Sequence, residues 1–168
     1  MTTPPSGDPA ETLDRKVERR QAWFAVLSRA DGQDLTQAVD RARDVIGDLP
    51  EYRFLRRPEV GLMMMRGRAG GRGEPFNLGE MTVARCSILV SDGLANGLTG
   101  HAYRRGRDLQ AAEKMALMDA LLQADEHYAP LMDAVVHPLA RSQAQSRAER
   151  LAESAETKVD FFTMMRER

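Results

Sequence analysis

From Leu109 to Tyr128 the chain reads LQAAEKMALMDALLQADEHY, with Ala, Leu and Met around most of a helical surface. A helix that is apolar nearly all round must be covered nearly all round. The rest of the chain therefore has to supply a sheet on one side of it and further helices on the other, a layered α+β arrangement. Asp108 stands just before the run, where a short carboxylate accepts from the unpaired N–H groups of a first turn, and is its natural N-cap.

The covering elements are legible on both sides. Residues 1–10 open with MTTPPSGD, Pro- and Ser-rich with nothing to bury, and are read as a disordered start. Leu13, Val17, Phe24 and Leu27 then recur at three-to-four-residue multiples, widened by Trp23 and Ala30, as an amphipathic helix requires. Asp31-Gly32 ends it. Asp34, with Gln37 three residues on, is the expected cap of a second helix whose apolar face is Leu35, Ala38, Val39, Ala42, Val45 and Ile46. From Tyr52 the period changes. Short apolar runs, GLMMM (61–65) and MTVARCSILV (81–90), bounded by Gly and Asp-Gly signals, predict strands of a small antiparallel sheet. Asp92-Gly93 and Asn96-Gly97 both suit hairpin turns but lie too close together to close one each, so one belongs to an enlarged loop.

Pro130 and Pro138 punctuate the following stretch, and Pro138 opens a last, extended helix with the seam Leu139, Ala140, Ala144, Ala148, Leu151, Ala152 and Ala155. So thin a seam gains little by folding back, while its small side chains permit close approach by another helix. The chain then ends in KVDFFTMMR (158–166), an apolar tail. It either folds onto its own domain as core or docks on a partner. Docking is the expectation, with Val159, Phe161, Phe162, Met164 and Met165 as the interface. The expected organisation is a core domain at 11–137 and a subunit-docking segment at 138–168.

Several function classes are excluded. With 24 basic residues against 25 acidic ones, the chain offers no general field for nucleic acid or membrane. No apolar run approaches the ~20 residues that cross a bilayer, and the first ten residues lack the zones of a signal peptide, so a cytoplasmic location is expected. The single Cys86 excludes an internal disulfide framework and, with no cation or helix start beside it, reads as a small buried hydrophobe. His101, His127 and His137 are scattered, so no metal site and no bound cofactor are expected. There is no G-x-S-x-G elbow. A folded core without a complete catalytic set points to a chain that works inside a larger assembly.

What remains is charge in particular places. HAYRRGRD (101–108) puts Arg104, Arg105 and Arg107 where a strand gives way to a helix, whose start adds partial positive charge, making them anion-binding candidates. Equally, Arg107 and Asp108 can fix that turn by a local ion pair and cap. MRGRAGGRGE (65–74) interleaves Arg66, Arg68 and Arg72 with glycines, so guanidinium forks and backbone N–H groups can both meet a phosphate, with Arg72 as a candidate. A glycine-rich turn with solvated arginines is the plainer reading. Few aromatics and a balanced charge argue against RNA. Arg85 lies among Val83, Ala84, Cys86 and Ile88, where a charge needs a partner. Glu80 is a candidate mate, although their odd separation puts the two on opposite faces.

Taken in order, GRGEPFNLGEMTVARCSI (71–88), GHAYRRGRDLQAAEKMALMDAL (100–121) and KVDFFTMMR (158–166) resemble the G-subunit family of the bacterial carbon–phosphorus lyase system, and RQAWFAVLSRA (20–30) is similar to its opening helix. The motif residues fall on Phe76, Gly79, Glu80, Thr82 and Arg85, on Gly106, Arg107, Asp108, Ala112 and Glu113, and on Val159 to Met164. Glu80, Arg85, Asp108 and Glu113 are taken as structural, and none is assigned as a catalyst. The sequence departs from the family at Leu94–Gly97, which is extra, and at His101-Ala102-Tyr103.

The resemblance implies a subunit of a hetero-oligomeric core complex with H-, I- and J-type partners, used in organic phosphonate catabolism. That complex, an α-D-ribose 1-methylphosphonate 5-triphosphate synthase, would make an α-D-ribose 1-alkylphosphonate 5-triphosphate from ATP and an alkylphosphonate with release of adenine. The transferase chemistry would centre on the I subunit, and the iron–sulfur cluster and S-adenosylmethionine on the J subunit. The residues alone leave open an alternative, a stand-alone anion- or nucleotide-binding module using the arginines at 104–107.

Overall fold

The computed structural model describes residues 9–156, with side chains from 13 to 154. Three strands, β1 (Tyr52–Arg68), β2 (Pro75–Val90) and β3 (Thr99–Arg105), form one antiparallel sheet in chain order. Helix α3 (Leu109–Leu121) lies on this sheet. Its other side is closed by α1 (Pro9–Leu27) and α2 (Gly32–Ile46), with α4 (Asp125–Leu131) against α2 and α5 (His137–Glu156) continuing beyond. The helix that had to be covered all round is covered: Ala111, Ala112 and the whole run from Met115 to Leu122 are buried. The run does not stay one helix to Tyr128. A turn at 122–124 breaks it, and Asp125 and Glu126 sit in the first turn of α4, where acidic side chains meet the positive end of a helix.

Asp119 is a fully buried acid in that apolar run. Arg20 of α1 donates to it through Nε (3.2 Å) and Nη2 (2.6 Å), Trp23 through Nε1 (3.0 Å), and the backbone N–H of His101 in β3 at 2.9 Å. Gln123 donates to the carbonyls of Thr99 and Asp119, both at 2.8 Å. Because β3 is an edge strand, these side chains take up polar groups on its outer side that no further strand satisfies. Close packing completes the contact. At Gly100 a Cβ would overlap the Ala116 carbonyl, so only glycine lets β3 and α3 approach this far.

Local chemistry differs from expectation in instructive places. Helix α1 takes in Pro9 and Ala10, assigned by composition to the disordered start, and residues 1–8 lie outside the described residues. Its stripe reaches the core only near its end, where Trp23, Leu27 and then Ala30 are buried, while Leu13 and Val17 are exposed. The cap of α2 is Asp31 and not Asp34. Asp31 Oδ1 accepts from the Asp34 N–H at 2.7 Å and Asp34 Oδ2 from the Asp31 N–H at 3.2 Å, a capping box with Asp at both ends. The link from α1 is so short that the residue ending one helix has to cap the next. Both glycine turn pairs, with Gly93 at φ 65° and Gly97 at φ 79°, share the single loop between β2 and β3. Asp92 ties that loop down by accepting from the Glu51 N–H at 2.7 Å. Pro130 and Pro138 do not interrupt the helical path. The chain stays helical by widening into a π-helical turn at Met132–Val136, where the His137 N–H reaches back to the Met132 carbonyl.

The strands are longer than their apolar runs. A short helical turn at Ala69–Gly71, with Gly70 at φ 59° and Gly71 at φ 76°, joins β1 to β2. Beyond Val83, where β3 ends its pairing, β1 and β2 continue as a two-stranded arm whose Leu62, Met63, Met64, Met65, Phe76 and Leu78 are exposed, as is Val60 just before it.

Removing the carboxylate should test the central network. Asp119→Ala is expected to lower the unfolding free energy by about 3 kcal/mol in urea denaturation, since it strands the indole N–H, the His101 amide and a half-buried guanidinium together. A loss below about 1 kcal/mol would show that the network is not structural.

Candidate functional site: an arginine-lined cleft

The end of α1 and start of α2, the end of β3 with the facing residues of β1 and β2, and residues 140–150 of α5 line a cleft of about 1030 Å³. Its apolar part is Val26, Met63, Met81 and Val83 with the exposed ring of Tyr103, and Ser142, Gln143 and Ser146 of α5 form a polar wall. Gln143 anchors that wall by donating from Nε2 to the Val26 carbonyl at 3.0 Å. Five arginines line the space: Arg29 just past α1, Arg104 and Arg105 at the end of β3, and Arg147 and Arg150 on α5. The two acids of the lining, Asp31 and Asp34, are engaged in the capping box.

Arg104 has the structural part. Its side chain is only 9% exposed, Nη2 donates to the Ala30 carbonyl at 2.8 Å, and Nη1 lies 3.7 Å from Asp108 Oδ2. It pins the α1–α2 junction to β3, although Nε and Nη1 have no hydrogen-bond partner among the described residues. Arg29, Arg105, Arg147 and Arg150 are exposed and make no ion pair with a described residue. Four guanidinium groups around an open cleft can hold an anion of several charges by forked hydrogen bonds, while Tyr103 and the methionines offer an apolar surface beside it.

Among the residues singled out in the sequence, Arg104 and Arg105 come together here and Arg107 and Arg72 do not. Arg107 is exposed outside the cleft lining, and the ion pair expected of it with Asp108 is made instead by Arg104, four residues before Asp108 near the end of β3. Arg72 sits at the tip of the arm, before Pro75, which is itself eight residues along β2 from Val83, the partner of Arg105, and so about 25 Å from it. Asp108 caps α3, its Oδ1 accepting from the Ala111 N–H at 2.9 Å. Glu113 accepts from the Tyr52 hydroxyl at 2.5 Å, tying α3 to β1. That carboxylate and burial both push the Tyr52 phenol well above its ordinary range, burial being the larger cause.

Arg85 has a mate, but it is Glu59 on the neighbouring strand and not Glu80. Arg85 Nε and Arg56 Nη1 each donate to Glu59 Oε1 at 2.8 Å, and these two hydrogen bonds, Arg56's first, hold the Glu59 carboxyl below the usual carboxylate range. Glu80 is exposed and pairs with no described residue. On the same sheet face Ser87 Oγ lies 2.9 Å from His101 Nδ1, but no third group among the described residues orients the ring as a nucleophile–base pair needs. Among the described residues no three His, Cys, Asp or Glu side chains gather as a metal site requires, and no helix is long and apolar enough to cross a membrane. The tail residues Val159, Phe161, Phe162, Met164 and Met165 lie outside the described residues.

Sequence reasoning missed Arg29, Arg147 and Arg150, which come from elements far apart in the chain, and also Asp119. Only Asp119 left a local signal, a lone acid inside MALMDALL.

Residues 18–167 match the family model described as phosphonate metabolism protein PhnG. A relative from Rhizobium meliloti (strain 1021), named alpha-D-ribose 1-methylphosphonate 5-triphosphate synthase subunit PhnG, is 40% identical over 160 residues, which cover 95% of this chain and 97% of the relative.

Burial, and next the Glu113 carboxylate, push the Cys86 thiol up to about 11. A raised value leaves the thiol protonated until the pH nears that figure, so at pH 8 its reaction with a disulfide reagent should be at least ~100-fold slower in the folded protein than in denaturant. Equal rates in the two states would refute the buried, protonated thiol.

Proposed function

The chain belongs to the PhnG family of phosphonate metabolism proteins, and from that premise we propose that it works as a non-autonomous subunit of an α-D-ribose 1-methylphosphonate 5-triphosphate synthase. In this reading it assembles in the cytoplasm with H-, I- and J-type subunits. The complex joins an alkylphosphonate oxygen to C1′ of the ribose 5-triphosphate of ATP and releases adenine. The displacement is centred on the I subunit, and the iron–sulfur cluster and S-adenosylmethionine belong to the J subunit. This chain contributes surface and position and binds no cofactor of its own.

The observation that carries the reading is 40% identity running through nearly the whole of both chains, so that the likeness is to an entire subunit and not to a shared module. Helix α5 supports a docking role for the C-terminal segment, because Ala144, Ala148, Leu151 and Ala152 of its seam are exposed and no described element covers them. Co-expressed with the three partner types, the chain is expected to elute with them as one species, and elution as a monomer would sink the proposal. Truncation after Glu156 is expected to leave the melting temperature unchanged and weaken co-elution. A truncated chain that no longer folds would make the tail part of the core.

One observation favours a second reading, an anion site in the cleft, as part of the complex or as a stand-alone module: Arg29, Arg147 and Arg150 join Arg104 and Arg105 around one space. Tripolyphosphate or ATP titrated into the isolated chain should bind saturably at low salt, weaken as ionic strength rises, and lose roughly tenfold in affinity in Arg147→Ala/Arg150→Ala, about 1.4 kcal/mol. Absence of saturable binding at low salt would remove this reading.

A further inference from the structure

Apart from Met63 and Met81, which border the arginine-lined cleft, the outer parts of β1 and β2 are uncovered by any described element, and we infer that the free edge of β1 at residues 60–65 takes up a strand from another subunit of the assembly, one that is acidic at both ends and apolar between. The inference rests on the chain being a subunit of a hetero-oligomer.

Among the described residues β1 pairs only with β2, so its outer edge presents a row of N–H and C=O groups that no described strand takes up. Its inner half is blunted against strand addition. Two register shifts fall between Phe54 and Glu59, and Arg56, Arg57, Pro58 and Glu59 are charges and a proline of the kind that guards an edge. Between Glu59 and Met65 the register is unbroken and the residues are Val60, Gly61, Leu62, Met63, Met64 and Met65, with neither charge nor proline. The next irregularity comes at Met65/Arg66. An unguarded window about 20 Å long is thus framed on both sides by features that stop pairing.

The side chains of this window do not alternate apolar with polar, as they would on a ribbon solvated on one face. Leu62 and Met64 point to one face and Met63 and Met65 to the other, and with Val60, Phe76 and Leu78 these side chains are 40 to 63% exposed. Summed over the two faces that flank the edge, they present on the order of 600 Å² of apolar surface, against the ~800 Å² that one partner gives a stable interface. An uncovered two-stranded ribbon is also only marginally stable in water.

Charge selects the occupant. β1 carries Arg53, Arg56, Arg57, Arg66 and Arg68 against the single acid Glu59. Pairing the edge with a second copy would lay two such strands side by side, and like charges across a ladder destabilise it. The chain's own tail, with Lys158, Arg166 and Arg168 against Asp160 and Glu167, is no better match. A strand from a different subunit, acidic where it passes residues 53–57 and 66–68, fits both the charges and the apolar window.

Hydrogen–deuterium exchange on the complex with the H-, I- and J-type subunits, beside the free chain, tests this. Within 60–65 the amides facing away from β2 should exchange rapidly in the free chain and at least 100-fold more slowly in the complex. Leu62→Lys/Met64→Lys should keep the wild-type melting temperature and lose co-elution. Co-elution of the unmodified chain with those amides still exchanging freely would overturn the strand addition alone. Protection in the free chain at high concentration would also overturn it by assigning the edge to a second copy. Failure of the unmodified chain to co-elute at all would overturn the subunit reading and this one with it.

Discussion

Asp119 brings a carboxylate into the most apolar helix of the chain, and the layering depends on how that charge is met. A buried acid left alone would cost far more than any single hydrophobic contact returns. Here α1 answers with a guanidinium and an indole N–H, and β3 with a backbone amide, so one side chain specifies which helix lies beside α3 and where the edge strand sits. Apolar packing over the rest of α3 is non-directional. The hydrogen bonds to Asp119 turn a sticky surface into one with a register.

Much of the architecture was legible because its signals are local. The all-round apolar stretch of α3, the stripe of α2 and the Asp108 cap are each set by residues within a turn or two of one another. The same locality explains the misses. Asp31 and Asp34 both suit a cap, and only the short connection decides between them. The length of β1 was hidden because its inner half, YRFLRRPEV, reads as a charged connector until β2 is laid against it. Pro130 and Pro138 signal breaks, yet a π-helical turn absorbs them, which no propensity rule anticipates.

The candidate site was less legible than the fold. Arg104 and Arg105 stood out as a run, but the cleft gains its charge from α1 and α5, more than 70 and 40 residues away in sequence, which meet only once the core has formed. Arg104 shows how a run can mislead. Its neighbour points to an open space while it is itself spent on holding the Ala30 carbonyl. The pairing of Arg85 with Glu59 is the same lesson in a sheet, since its partner lies across the ladder and not along the strand.

The sheet has two unlike margins. Along β3, Asp119, Arg20 and Gln123 occupy polar groups of Thr99 and His101, and α3 presses against Gly100. Along β1 nothing of the kind exists among the described residues. Such a sheet has a polarity, closed at one side and open at the other. It can lengthen by one strand but cannot pass the invitation on, because head-to-tail stacking needs two receptive margins on every copy. The fold thus contains its own stop against fibre growth while leaving one side receptive.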